Sequence, residues 1–402
     1  VQFVDPKRKI REKTILKELK FKEGDILNPE RFYETQTSIY ELGLFKDINI
    51  LYDDSAETTI KDITINADVA KLKWFEFLVG YSSRPLFRGA LRWGHDNIFG
   101  NGQKFSFGVL GKIGPDLLYH NFSLTYDENR FFSTKWQLSN NIYREDERFY
   151  GEYSQVTWGF GTGLNRRFLE SYLINIGFTY EIKKTSNVDE SVADDIQEGT
   201  IETNRVNLVL VDNKTDNILD PEKGYYQSFY NEFAGWILGG NENYLKNEYK
   251  FHKYGIISKP FNLAWRAKFG VITDVESDGL ISADKKFSLG GANSFRGLYS
   301  DIRGTTNYSG YYMGLFSLEL RDKFFKRFGY VLFTDIGSIY DKYEKIDLRG
   351  IKLAYGVGFR FFTKIGPIRL DLGFDNDDMK DNLFKSKFKD KVKVFISIGQ
   401  AF

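Results

Sequence analysis

The sequence predicts an all-β transmembrane barrel of 16 antiparallel strands, preceded by one small α+β domain of order β-α-α-β-β. Three observations predict it. Aromatic residues make up 17% of the 402-residue chain (37 Phe, 25 Tyr, 6 Trp), beside 37 Gly and only 7 Pro. Mean hydropathy is nevertheless -0.41, and no apolar run reaches the roughly 18 residues of a membrane-spanning helix, which excludes a helical bundle. From Phe75 onward, apolar and polar residues alternate with period 2, broken by Gly, Asn, Asp and Pro clusters. A barrel with a wet lumen and aromatic girdles at both interfaces accounts for all three.

The bulk charge narrows the class. The net charge of +1 gives no field that favours nucleic acid. The chain has no cysteine, which excludes a disulfide scaffold and thiolate metal or redox sites. Its three histidines, His95, His120 and His252, leave little for metal chemistry. No cofactor and no metal is expected. The chain starts at Val1 without a signal peptide, so it reads as a mature chain or a fragment of an exported protein.

Residues 1–70 form the front domain in this reading. Val1–Val4 is a short strand, and Lys9–Leu19 a helix with Ile15, Leu16 and Leu19 on one side. Asn28-Pro29-Glu30 supplies an N-cap, a proline at the first helical position and an acid in the first turn. That second helix presents Phe32, Ile39 and Leu42 and ends at Gly43. Strands Phe45–Tyr52 and Thr59–Ala67 complete the domain.

Residues 75–402 form the barrel. Ile368, Leu370, Leu372 and Phe374 alternate with Arg369, Asp371 and Gly373. Leu353, Tyr355, Val357, Phe359 and Phe361 alternate with Lys352, Ala354, Gly356, Gly358 and Arg360. Sixteen segments start near 75, 86, 103, 118, 131, 150, 171, 202, 222, 243, 261, 309, 328, 350, 365 and 390. Closure follows physically, because an open sheet edge in lipid strands unpaired backbone groups. With the front domain on the periplasmic side, the connections 185–201, 275–308, 341–349 and 376–389 fall outside. The turns 97–103, 213–224, 258–260 and 363–367 fall inside. The acidic stretch Val188–Gly199 reads as a solvated loop.

Several motifs carry a resemblance. The longest connection contains Leu289-Gly290-Gly291-Ala292-Asn293-Ser294-Phe295-Arg296-Gly297-Leu298. Phe333-Thr334-Asp335-Ile336-Gly337 has the form FxDxG, and Leu219-Asp220-Pro221-Glu222-Lys223-Gly224-Tyr225 forms a turn. Ile365-Gly366-Pro367-Ile368-Arg369-Leu370-Asp371 follows Gly356–Phe361. In the front domain, Ile39-Tyr40-Glu41-Leu42-Gly43-Leu44-Phe45 is similar to a POTRA signature. In this order the motifs resemble the outer-membrane assembly and translocation barrels with POTRA domains. That superfamily is BamA/TamA-like and includes the translocators of patatin-like type V-d autotransporters. The Ile-Arg-Leu-Asp wording is nearer to TamA and the patatin group than to BamA. Phe before Arg296 and Leu after Gly297 depart mildly from the usual arginine-glycine-aromatic loop.

The resemblance implies that the 275–308 loop folds back into the barrel and that its arginine meets an acid on the lumen wall. Strand parity agrees, since Asp335 alternates with Tyr330, Leu332 and Ile336. The expected lock is Phe295, Arg296 and Gly297 of the loop with Asp335, and Glu319 as a second partner. The first and last strands, through Phe75, Phe77, Val79, Ile396, Ile398 and Phe402, form a weak lateral seam. Leu42, Gly43 and Phe45 mark the POTRA signature, beside an edge strand able to take an extended client.

Location in the Gram-negative outer membrane, with the POTRA domain in the periplasm, follows from the resemblance. So do its partners: outer-membrane lipid, a client or passenger polypeptide, and barrel-assembly machinery reached through the C-terminal strand. The leading expectation is a translocator that displays or secretes an upstream patatin-like passenger. The alternative is a BamA/TamA-type assembly factor cut back to its last POTRA domain. A passive porin is a third class, disfavoured by the front domain and the folded-in loop. An outer-membrane phospholipase needs a Ser/His pair. His95-Asp96, His120-Asn121 and His252 offer no serine motif, so this chain is expected to carry no catalytic residue.

Overall fold

The structure, a computed structural model, describes residues 2–4, 10–52, 60–81, 87–169, 171–193, 196–258, 261–274, 281–299, 308–324, 327–364, 366–375 and 392–402. The front domain is β1 (Gln2–Val4), α1 (Glu12–Leu16), α2 (Pro29–Tyr40), β2 (Phe45–Tyr52) and β3 (Ile63–Val69). Its sheet order is β1-β3-β2, with β1 parallel and β2 antiparallel to β3. The Asn28 side chain caps α2 by accepting from the Glu30 N–H at 2.9 Å. Ile15, Ile39, Leu42, Leu44, Ile48 and Ile65 are fully buried and form one core. The first helix is shorter than expected, because Glu18 turns inward to accept from Ser38 Oγ at 2.9 Å.

The remaining long strands form one antiparallel sheet. They are β4 (Lys73–Tyr81), β5 (Phe87–His95), β6 (Gln103–Ile113), β7 (Leu117–Glu128), β8 (Gln137–Phe149), β9 (Tyr153–Phe168), β10 (Tyr172–Ser186) and β11 (Gly199–Asn213). There follow β12 (Gly224–Ala234), β13 (Tyr244–Ser258) and β14 (Phe261–Asp274). The long connection carries a two-residue ladder, β15 (Phe287–Ser288) with β16 (Ser309–Gly310). Then come β17 (Tyr312–Phe324), β18 (Phe328–Tyr340), β19 (Lys352–Thr363), β20 (Gly366–Asp375) and β21 (Val392–Ile398). Sixteen strands pair with their neighbours in chain order from β4 to β21, β14 joining β17 directly.

One strand start is corrected. The fifth barrel strand begins at Gln137 rather than near 131, because Phe131–Ser133 is a 3-10 turn packed beneath the front domain. Alternation along β18 is regular: Val331, Phe333 and Asp335 are buried, whereas Tyr330, Leu332 and Ile336 are exposed. The acidic loop is only partly solvated. Val188, Val192 and Ile196 fold over Leu117, Tyr119, Phe149 and Tyr153 at the upper rim.

The front domain docks on two turns of one rim. Arg11 N–H donates to Gly100 O at 2.9 Å. Arg130 forks onto Glu18 at 2.7 and 3.0 Å and reaches Glu41 at 3.3 Å. Those hydrogen bonds to Glu18 hold the Arg130 guanidinium above its ordinary pKa. Hairpin parity then places the turns near 97–102, 169–171, 214–223 and 364–366 on this same periplasmic rim. Glu18 is buried, so loss of Arg130 leaves a carboxylate without its cation. Arg130→Ala is expected to release the front domain to limited proteolysis sooner than Arg31→Ala, which removes only an exposed pair with Asp25 worth about 0–1 kcal/mol.

Candidate functional site

The site is built where the long connection re-enters the barrel. Gly290 and Gly291 take φ of +138° and +98°, a backbone that favours glycine, and turn the chain inward. Leu289, Phe295 and Leu298 then pack on Leu315 and Ala354 of the wall. The backbone of Arg296 lies directly on β20: a Cβ at Gly373 would sit 2.0 Å from Arg296 O. Small residues on the wall therefore make the bed in which the loop rests.

Arg296 is fully buried, and so are its partners Glu319 and Asp335. Its Nε and Nη2 donate to the two Asp335 oxygens at 2.8 Å each, and its own backbone N–H donates to Oδ2 at 3.0 Å. Nη1 donates to Glu319, and the guanidinium lies 3.5 Å from the centre of the Phe333 ring. Fork geometry and a π face fix the arginine in position and in plane. Asp371 lies 3.8 Å from Nη1. Phe295, Arg296, Gly297, Asp335 and Glu319 are thus brought together.

Four further arginines surround this pair, and sequence reasoning assigned them no role. Arg266 donates to the loop carbonyls of Asn293 at 2.8 Å and Ser294 at 2.7 Å. Arg369 donates to Ala292 O at 3.0 Å and to the Asn293 side chain. Arg321 donates to Glu319 at 2.8 Å, and Arg360 to Asp371 at 2.5 Å. Five buried guanidiniums thus face three buried carboxylates, and loop carbonyls supply acceptors that the acids do not. The available signal was lumen parity: each of these arginines alternates with lipid-facing apolar residues along its strand.

A second anchor lies across the lumen. Lys285 of the same loop lies 3.3 Å from Glu181 on β10, and Asp284 lies 2.6 Å from Lys183. Lys246 of β13 donates to Lys285 O at 2.7 Å. The loop therefore spans the lumen between the β10 wall and the β17–β20 wall.

The seam strands sit at the two ends of the sheet. Phe75, Phe77 and Val79 on β4 are 66%, 71% and 70% exposed. Ile396 and Ile398 on β21 also face outward. Among the described residues no ladder joins β4 to β21. Among the described residues these edge strands have nine and seven residues, whereas β9 has sixteen. A membrane-spanning strand needs about 9–11 residues, so β4, like its neighbour β5, is at the short end of that range.

Phe402 is the exception. It was expected on the seam and lies instead against the lumen wall. Gly399, with φ +91°, turns the chain off the sheet after Ile398. Arg266 donates to Ala401 O at 3.2 Å and Arg321 to Phe402 O at 3.1 Å. The Phe402 ring lies 5.6 Å from His252 and 4.7 Å from the Arg266 guanidinium. Desolvated guanidiniums that need acceptors and a π face hold this segment inside. His252 is part of that packing. In the front domain, Leu42 and Phe45 are core residues and Gly43 closes α2 with φ +69°.

Residues 97–402 match the Omp85 superfamily domain, and residues 1–70 match the surface antigen variable number repeat of the POTRA class. The chain belongs to the Omp85 superfamily. It is 22% identical over 402 residues to the outer membrane protein assembly factor BamA of Nitratidesulfovibrio vulgaris, covering 94% of this chain and 48% of that protein. The BamA of Neorickettsia risticii is 20% identical over 383 residues, covering 89% and 50%. The chain thus spans about half the length of the curated relatives it matches. Its fold is similar to the crystal structure of Haemophilus ducreyi BamA lacking POTRA domains 1-3, with a TM-score of 0.79 at 16% identity, covering 97% and 82%. CdiB from Acinetobacter baumannii matches with a TM-score of 0.61 at 15% identity, covering 98% and 72%. This Omp85 barrel is an outer-membrane protein with its POTRA domain in the periplasm.

Truncating one side of the Arg296 cluster leaves buried charge uncompensated, a change that costs about 3–5 kcal/mol. Arg296→Ala and Asp335→Ala are each expected to lower the temperature at which the folded band is lost on heat-modifiability gels. The double variant is expected to lose less than the sum of the two. Wild-type melting by both single variants would contradict the arrangement.

Proposed function

We propose that this chain carries the membrane-embedded part of an outer-membrane protein assembly factor. Both curated relatives bear that name, and the lack of a β4–β21 ladder among the described residues supports the reading most directly. Strands β4 and β21 offer backbone donors and acceptors along the lipid boundary, where unpaired groups cost several kcal/mol each. A client strand that pairs there removes this cost, and its own edge is covered at the same time. The arginine-centred loop braces the β17–β20 wall, which leads directly to β21, while the seam strands part. In this scheme Arg296, Asp335 and Glu319 are positioning residues, and Phe75, Phe77, Val79, Ile396 and Ile398 border the path of the client. The POTRA domain receives the extended client along β2, an edge strand of its sheet, where pairing displaces the Tyr40 and Gln36 side chains that cap the Ile48 backbone.

The second reading, export of an upstream patatin-like passenger, rests on the Ile368-Arg369-Leu370-Asp371 wording. It requires a Gly-x-Ser-x-Gly lipase segment encoded ahead of Val1, and further POTRA repeats there would overturn it.

The absence of cysteine from the chain makes the seam easy to test. Phe77→Cys combined with Ile396→Cys, joined by a short cleavable thiol crosslinker, is expected to stop insertion of an unfolded client barrel into proteoliposomes. Cleaving the linker is expected to restore insertion. Undiminished insertion through a crosslinked seam would exclude lateral release.

A further inference from the structure

The outer surface of β9–β13, on the side of the sheet away from the seam, carries a feature that the assembly reading leaves unused. Three side-chain rows lie there at lipid parity, each set by strand register. The upper row is Arg166, Ile174, Leu210, Phe229 and Tyr249. The next contains Phe168, Tyr172, Asp212 and Gln227, and the lowest contains Tyr225 and Lys253 with Lys214 beside them. The upper two rows line an almost wholly apolar crevice of about 480 Å³. The lowest row is on the periplasmic rim, the rim on which the POTRA domain docks.

Two lysines stand at the mouth of this crevice, and one arginine stands at the edge of its upper row. Lys214 and Lys253 are exposed, with their ammonium groups 5.7 and 5.6 Å from the centre of one ring, Tyr225. Among the described residues neither makes an ion pair. Arg166 lies 4.3 Å over Phe168, and its buried Nε has no hydrogen-bond partner in the protein. The one acid in these rows, Asp212, lines the crevice and accepts from Tyr225 Oη at 2.7 Å, and against Arg166, Lys214 and Lys253 it leaves the rows with a net positive charge. From Leu210 to Lys214 is four residues, roughly 13 Å of strand, so the lysines lie about a headgroup depth below the apolar row.

We propose that this crevice binds a diacyl glycerophospholipid of the periplasmic leaflet. Its phosphate sits between Lys214 and Lys253, and an acyl chain runs up past Leu210, Phe229 and Ile174. The chemistry is that of a basic pocket at a membrane interface: an anion at the headgroup level, apolar surface above it, and amphipathic Tyr side chains between. A bound lipid here ties the β9–β13 side of the barrel, away from the seam, to one leaflet.

Native mass spectrometry of the full chain in detergent micelles, titrated with phosphatidylglycerol, tests the assignment. Wild type is expected to retain one phosphatidylglycerol. The Lys214→Gln/Lys253→Gln variant is expected to bind it roughly 30-fold more weakly, from about 1 kcal/mol per lysine near an anionic surface. The Lys→Arg pair is expected to restore retention. Inorganic phosphate at matched concentration is expected to leave the bound fraction unchanged, because it gains nothing from the crevice. Both lysines are exposed, and an unchanged heat-modifiability midpoint shows that the Gln variant is folded. Retention by the Gln variant equal to wild type, or displacement by inorganic phosphate, would overturn the proposal.

Discussion

The interaction on which the rest depends is the burial of Arg296 between Asp335 and Glu319. A guanidinium removed from water is tolerated only when nearly every N–H finds an acceptor, and here both carboxylates and a π face are supplied together. The consequence is mutual. Arg266 and Arg369 on the wall are satisfied by the carbonyls of Ala292, Asn293 and Ser294 on the loop. The loop cannot leave without stranding wall arginines, and the wall cannot reshape without stranding Arg296. That reciprocity makes one side of the barrel a rigid unit.

The ends of the sheet contrast with that braced wall, although β20 of the wall is paired with β21 at one end. The edge strands β4 and β21 are short, bear large exposed apolar side chains, and share no ladder among the described residues. The terminal segment is held instead by lumen groups, through Arg266 and Arg321. Arg266 thus touches both the loop and the terminal segment and ties the two together. A barrel meant only as a pore gains nothing from an unpaired edge in lipid, because each bare backbone group there is costly.

Much of this was legible in the sequence because period-2 alternation reports directly on which face a residue takes. Asp335 and Glu319 could be placed on the lumen side from their neighbours alone, and with the front domain taken as periplasmic the hairpin count sorted the connections between the two rims. The fifth strand was misplaced because Phe131 and Phe132 look like strand residues. They lie instead in a turn closed by its own hydrogen bonds, Phe131 N–H to Trp136 O and Thr134 N–H to Phe131 O, and Lys17 of the front domain reaches it at Ser133.

Phe402 shows the limit most clearly. The sequence by itself determined the strand number and the parity of each side chain, since both follow from local periodicity, while the pairing of a loop arginine with a wall acid was implied by the family resemblance that its motifs carry. The tertiary structure alone decided that five arginines converge, that the loop has a second anchor at Glu181, and that the terminal aromatic turns inward. Those outcomes depend on which buried charges lie within reach of which carbonyls across the lumen. Alternation gives the face a residue looks toward, but not what it meets there.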